Sequence, residues 1–118
     1  MIQNYGILNF SGAGPLPPDA VIEGIDLVDD GTVYEPLSLA FLATNYGGAG
    51  EVLVYWRLYD YNSNLLNSGS ENFNMGTGTD TYYFEGIVYP PAPGAFNYAE
   101  VQILGGSTET SNTFEITS

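Results

Sequence analysis

From Pro18 onward the chain alternates apolar and polar residues with a period of two, and turn-forming clusters interrupt the alternation at short intervals. Such a rhythm puts successive side chains on opposite faces of an extended strand. Short runs of this kind between Gly, Pro, Asn and Asp clusters point to an all-β sandwich or barrel. No segment has helical periodicity of useful length, and the sequence contains no internal repeat. The expected fold is therefore an antiparallel β-sandwich of about seven strands.

The runs place the strands. One covers Ala20 to Val28 and ends in the turn Asp29-Asp30-Gly31-Thr32. A second covers Pro36 to Asn45, with Leu37, Leu39, Phe41 and Ala43 on the core side. A third covers Glu51 to Tyr61. There Val52, Val54, Trp56 and Leu58 share the inner face, and Tyr55, Arg57, Tyr59 and Tyr61 share the outer one. A turn at Asn62-Ser63-Asn64 leads to a short run at Leu65-Leu66, then a short strand from Glu71 to Met75. Thr81 to Tyr89 follows, with Tyr82, Phe84 and Val88 inward, and is bounded by Pro90-Pro91-Ala92-Pro93-Gly94. Next comes Phe96 to Leu104, with Ala99, Val101 and Ile103 inward. Phe96 and Tyr98 break the parity of that set, which predicts a bulge or a change of register. Gly105-Gly106-Ser107 turns the chain into a last strand near Asn112 to Thr117, with Phe114 and Ile116 inward.

Residues 1–18 stand apart from this pattern. Ile2 to Phe10 is an apolar-polar string, and Ser11 to Pro18 is a Gly/Pro joint unsuited to helix or central strand. Two readings stay open. The string is a first edge strand of its own sandwich, or it is an arm that adds a strand to a neighbour. The domain organisation expected is an N-terminal arm and hinge over 1–18, then one sandwich over 19–118. The opening Met1-Ile2-Gln3-Asn4-Tyr5 lacks the basic and apolar regions of an export signal, and no stretch approaches eighteen apolar residues. Neither an exported chain nor membrane insertion is expected.

Charge narrows the function. Arg57 is the one Lys or Arg against fourteen carboxylates, His is absent, and the formal net charge is −13. A nucleic-acid binder neutralises several phosphates with Lys and Arg, so no nucleic-acid partner is expected. The commonest general base near neutral pH is His, and nucleophilic Cys and Lys are missing as well. With no cysteine there is no disulfide and no thiolate metal site. At 44% hydrophobic and 14% aromatic the chain can bury a core without such staples.

The segment Leu39-Ala40-Phe41-Leu42-Ala43-Thr44-Asn45-Tyr46-Gly47, followed by Glu51-Val52-Leu53-Val54-Tyr55-Trp56, resembles prokaryotic immunoglobulin-like adhesion modules of the CARDB type, and more loosely fibronectin type III domains. Those modules show a strand ending in an Asn-x-Gly turn and then a second strand. Thr81 to Val88, then Pro90-Pro91, Gly94 and an aromatic-led strand look like the family's later half. The resemblance covers roughly residues 19–118 and implies an immunoglobulin-like sandwich with a role in adhesion or assembly. It implies no catalytic residues.

Few residues qualify as sites. Glu23, Asp26, Asp29, Asp30 and Glu35 form the acidic cluster, with Asp26, Asp29 and Asp30 the Ca²⁺ candidates. Their spacing does not match an EF-hand, and Asp before Gly31 is also explained by turn formation. Neither metal nor cofactor is expected. A glycosidase pair drawn from the same acids needs a carved cleft, and no enzyme is expected. Asn9-Phe10-Ser11 fits the N-glycosylation pattern. The candidate interface joins Ile7, Leu8 and Phe10 in the arm to Tyr55, Arg57, Tyr59 and Tyr61 on one strand face. Tyr and Arg are enriched where proteins dock. On that face Arg57 has two options: a cross-strand bond to a carboxylate, or contact with a partner. Trp56 is expected to be structural.

The expected function is that of a non-enzymatic structural protein of an assembly. Its most specific form is a capsid decoration or cement protein on a virion, binding neighbouring subunits as an oligomer or lattice. The alternative is an extracellular prokaryotic adhesion module or filament subunit. The third reading is a carbohydrate-binding accessory module that sets exposed Tyr against sugar rings.

Overall fold

A computed structural model describes residues 16–28, 30–84 and 89–118. Among them are nine strands: β1 (Ala20–Val28), β2 (Gly31–Thr32), β3 (Leu39–Asn45), β4 (Gly50–Tyr59), β5 (Leu65–Met75), β6 (Gly78–Phe84), β7 (Gly94–Ile103), β8 (Thr108–Thr110) and β9 (Phe114–Thr117). One sheet has the order β1-β3-β6, and the other has β2-β9-β7-β4-β5, with β8 also paired to β7. All pairings are antiparallel except β2 with β9. The first, second and fifth main strands of an immunoglobulin sandwich share one sheet, and its third, sixth and seventh share the other. β1, β3 and β6 fill the first set, and β4, β7 and β9 fill the second. The fold is an immunoglobulin-like β-sandwich.

The alternation read from sequence sets the interior. Leu39, Phe41 and Ala43 of β3 face Val52, Val54, Trp56 and Leu58 of β4, with Ala99, Val101 and Ile103 of β7 and Phe114 and Ile116 of β9 completing the core. Phe73 of β5 meets Phe41 edge-on at 5.3 Å between ring centroids and Phe84 at 5.2 Å. Those aromatic contacts join the two sheets near the β5 and β6 edges. Tyr82 stacks on Phe41, its cross-strand neighbour, and its partial burial raises the phenol pKa, with Asp80 adding to the rise.

Asn45, buried at 3% exposure, holds one end of the sandwich together. Its side-chain oxygen accepts the N–H groups of Asp19 and Gly47, and its amide donates to the carbonyls of Gly48 and Gly76. One side chain thus satisfies the entry to β1, the β3–β4 turn and the β5–β6 turn, which is what a buried amide requires. Beside it, Gly48 donates to the Pro17 carbonyl at 3.1 Å. A Cβ on Gly47 would lie 2.2 Å from that same oxygen, so the turn accepts only glycine there.

Three differences from the expected layout have physical reasons. β5 is one strand of eleven residues, although Asn67-Ser68-Gly69-Ser70 carries no apolar signal. Pairing with β4 from Tyr59↔Leu65 to Gly50↔Met75 keeps it extended. β8 was not expected, because its three residues are polar and fully exposed. It is held by pairing to Glu100, Val101 and Gln102. β2 is a two-residue contact, so the count is nine rather than seven. At Phe96 and Tyr98 the expected change of register is present, and Asn97 between them fills the inward place at 1% exposure. The shift lies between Gly94 and Asn97, where the Asn97 amide donates to the Gly94 and Phe114 carbonyls. Val88 and the inward position expected for it lie outside the described residues.

Candidate interaction face

Because Val52, Val54, Trp56 and Leu58 turn inward, the other side chains of β4 must stand on the outer surface of its sheet. Tyr55, Arg57 and Tyr59 do so, and each is partly exposed. Tyr61 follows in the turn and is 75% exposed. Register then supplies a second column that the sequence did not reveal. Tyr55 pairs with Gln102, Arg57 with Glu100 and Tyr59 with Tyr98 across β4 and β7. Phe96 continues that column beside Tyr61, their ring centroids 6.1 Å apart.

Each rung has its own chemistry. Arg57 donates through Nη1 to Glu100 Oε1 and through Nη2 to Gln102 Oε1, both at 2.8 Å. Tyr59 and Tyr98 stack with centroids 5.1 Å apart and planes 21° from parallel. The Tyr98 hydroxyl donates to Ser63 Oγ at 2.6 Å. Desolvation first, and then the Glu100 carboxylate, raise the Tyr59 phenol pKa, so this group stays neutral well into the alkaline range. At the far end the Tyr61–Phe96 pair opens to solvent, Phe96 being 59% exposed.

The segments on either side of that open end carry carboxylates. Asp60 precedes Tyr61 and closes the β4–β5 turn. Its Oδ1 accepts the N–H groups of Asn62 and Asn64 at 2.9 Å, and its Oδ2 accepts the Asn64 amide. Those donors lower its pKa, the Asn64 backbone contributing most. On the other flank Glu115 of β9 is exposed and lies between the rungs Gly94↔Ile116 and Asn97↔Phe114, beside Phe96. Asp30 accepts the Glu115 N–H at 2.8 Å, which brings a third carboxylate to this side.

The remaining candidates fall in several places. Asp30 is the β9 contact just described. Asp26 sits at a register shift in β1, and Asp29 lies outside the described residues. Among the described residues no three carboxylates gather in a metal-binding group. Ile7, Leu8, Phe10 and the Asn9-Phe10-Ser11 triplet also lie outside the described residues. Trp56 is 2% exposed and packs in the core, facing Gly69. Phe96, Tyr98, Glu100 and Gln102 were missed as face residues. Their opposite parity to Ala99, Val101 and Ile103 was the signal that could have identified them.

No protein-family model matches the chain, and no curated protein matches it. Among solved structures it is similar to the CARDB domain of a Pyrococcus furiosus protein in complex with di-metal ions. That match has 15% identity, covers 85% of this chain and 94% of that one, and has a TM-score of 0.49. It is similar also to the alkylpurine DNA glycosylase AlkC of Pseudomonas fluorescens, bound to DNA containing an abasic site analog. There the identity is 13%, with 84% of this chain and 30% of that chain covered and a TM-score of 0.52. Likeness at such identity concerns the fold alone: the chain is an immunoglobulin-like sandwich whose outer sheet face carries a two-column aromatic and polar ladder.

Proposed function

We propose that this chain is a non-enzymatic structural module that docks onto other subunits of a larger assembly. In its most specific form it is a decoration or cement protein on a virion. The observation that carries the reading is the Tyr55/Gln102 to Tyr61/Phe96 ladder on an open sheet face. Aromatic side chains supply large contact area with few rotamers to freeze, which suits docking. Residues 1–18, with Ile7, Leu8 and Phe10, add a second contact as an arm to a neighbouring copy, so that copies form an array. Kinship with CARDB-type or fibronectin type III-type modules belongs to this proposal and rests on the Asn45-Tyr46-Gly47 turn and its flanking strands. The neighbouring form of the same reading is a cell-surface adhesion module or filament subunit.

Immunogold electron microscopy with an antibody to the chain separates these forms. Applied to the source cells and to particles they release, it is expected to label particle surfaces. Label on envelope filaments selects the cell-surface form. Label dispersed through the cell interior, with none on particles or envelope, removes the assembly reading altogether.

A further inference from the structure

The partner of the aromatic face can be narrowed by charge. Thirteen of the fourteen carboxylates have no Lys or Arg in their own chain to pair with, because Arg57 is the only such residue and is bonded to Glu100. Near the open end of the ladder, Tyr61 and Phe96 present exposed rings, and the exposed Glu115 of β9 lies between the two rungs that enclose Phe96. Arg and Lys are the side chains that satisfy both features together. A guanidinium or ammonium over an aromatic face is attracted by the ring quadrupole, and an adjacent carboxylate adds a charge-assisted hydrogen bond. Two copies of the chain meeting through this face would bring the same carboxylates together without a compensating cation, which costs affinity. Nucleic acid and anionic lipid are repelled by the same field.

Building on the assembly reading, we infer that the Tyr61–Phe96 end of the outer sheet face docks a basic, arginine-bearing surface of a different protein rather than a second copy. Phe96 and Tyr61 take the guanidinium planes. Glu115 takes their N–H edges, while the Arg57–Glu100 pair and the Tyr59–Tyr98 stack hold β4 and β7 in register beneath them.

The test is isothermal titration of the full chain with a twelve-residue alternating Gly-Arg peptide and with its Gly-Gln counterpart at low salt. The Gly-Arg peptide is expected to bind saturably and the Gly-Gln peptide not at all. Tyr61→Ser combined with Phe96→Ser should weaken binding at least tenfold, with an unchanged circular dichroism spectrum. Glu115→Gln, which preserves shape at an exposed position, should weaken it severalfold and serves if the double variant does not fold. Equal affinity of wild type and both variants would mean that the bulk field alone attracts the peptide, and the site assignment fails. Absence of Gly-Arg binding, or saturable binding of cellohexaose at these same rings, overturns it too. Particle labelling without peptide binding removes only the basic-partner assignment. Peptide binding without particle or envelope labelling removes only the assembly reading.

Discussion

At the scale of single residues, the core's clearest side-chain constraint is the contact between Trp56 and Gly69. The two are cross-strand partners, and a Cβ at residue 69 would lie 2.7 Å from the indole Nε1. Among the described residues that buried nitrogen has no hydrogen-bond partner. The indole therefore lies flat against bare backbone and tolerates a lone N–H in return for its packing. Trp56→Ala is expected to cost about 3–5 kcal/mol. Gly69→Ala should cost about 1–3 kcal/mol through overpacking. In a Trp56→Phe background the smaller ring leaves room, so the second change should cost less than half as much. Urea denaturation of the four chains measures this coupling, and equal costs in both backgrounds would show that steric pressure on the indole is not the source. Trp56 was legible as core from its alternation with Val54 and Leu58. Gly69 was not, because a glycine's role opposite an indole depends on register.

At the scale of elements, the β4–β5 hairpin is both the longest pairing and the support of the face. Its turn depends on Asp60, which accepts three hydrogen bonds, and on Ser63 at φ 63°, in the left-handed region. The lowered Asp60 pKa means that its ionised form is favoured in the folded state. The turn's contribution is present above the unfolded-state pKa and disappears as pH falls through the folded value. Wild-type stability should therefore drop more steeply below about pH 4 than that of Asp60→Ala. Urea midpoints at pH 6 and pH 3 for both chains test this, and parallel losses would remove Asp60 from the account. Strands with one wet and one dry face announced themselves in the sequence: β4 and β9 fall where their alternation put them, and the inward set of β3 is buried as expected although Ala40, Thr44 and Asn45 on its other side are covered too. Those without an apolar face did not. The middle of β5 and all of β8 are polar, and only pairing with a neighbour makes them strands. The second column of the face was obscured for a related reason. Phe96 and Tyr98 are apolar residues on the wet side, and an apolar residue read alone argues for the dry one.

At the scale of the whole molecule, charge opposes compactness. A net charge of −13 on one small domain repels itself, and added salt screens that repulsion. Thermal stability is expected to rise between about 10 mM and 300 mM NaCl, where each 1 kcal/mol gained corresponds to roughly 4–6 °C for a domain of this size. Calorimetry measures it, and a melting temperature that falls or stays level with salt contradicts the repulsion argument. Docking to a basic partner should respond in the opposite sense, since the same ions screen the attraction. The alternation of β4 carries a last consequence. Trp56 belongs to the interior and its neighbours Tyr55 and Arg57 to the outer face. A slip of one residue in the pairing of β4 would exchange the two sets. A misregistered copy would expose its indole and bury Tyr55, Arg57 and Tyr59, breaking the rungs to Gln102, Glu100 and Tyr98 that support the Tyr61–Phe96 end. Under the proposed docking, an assembly that recruits through this face would thereby inspect the interior of every subunit it admits.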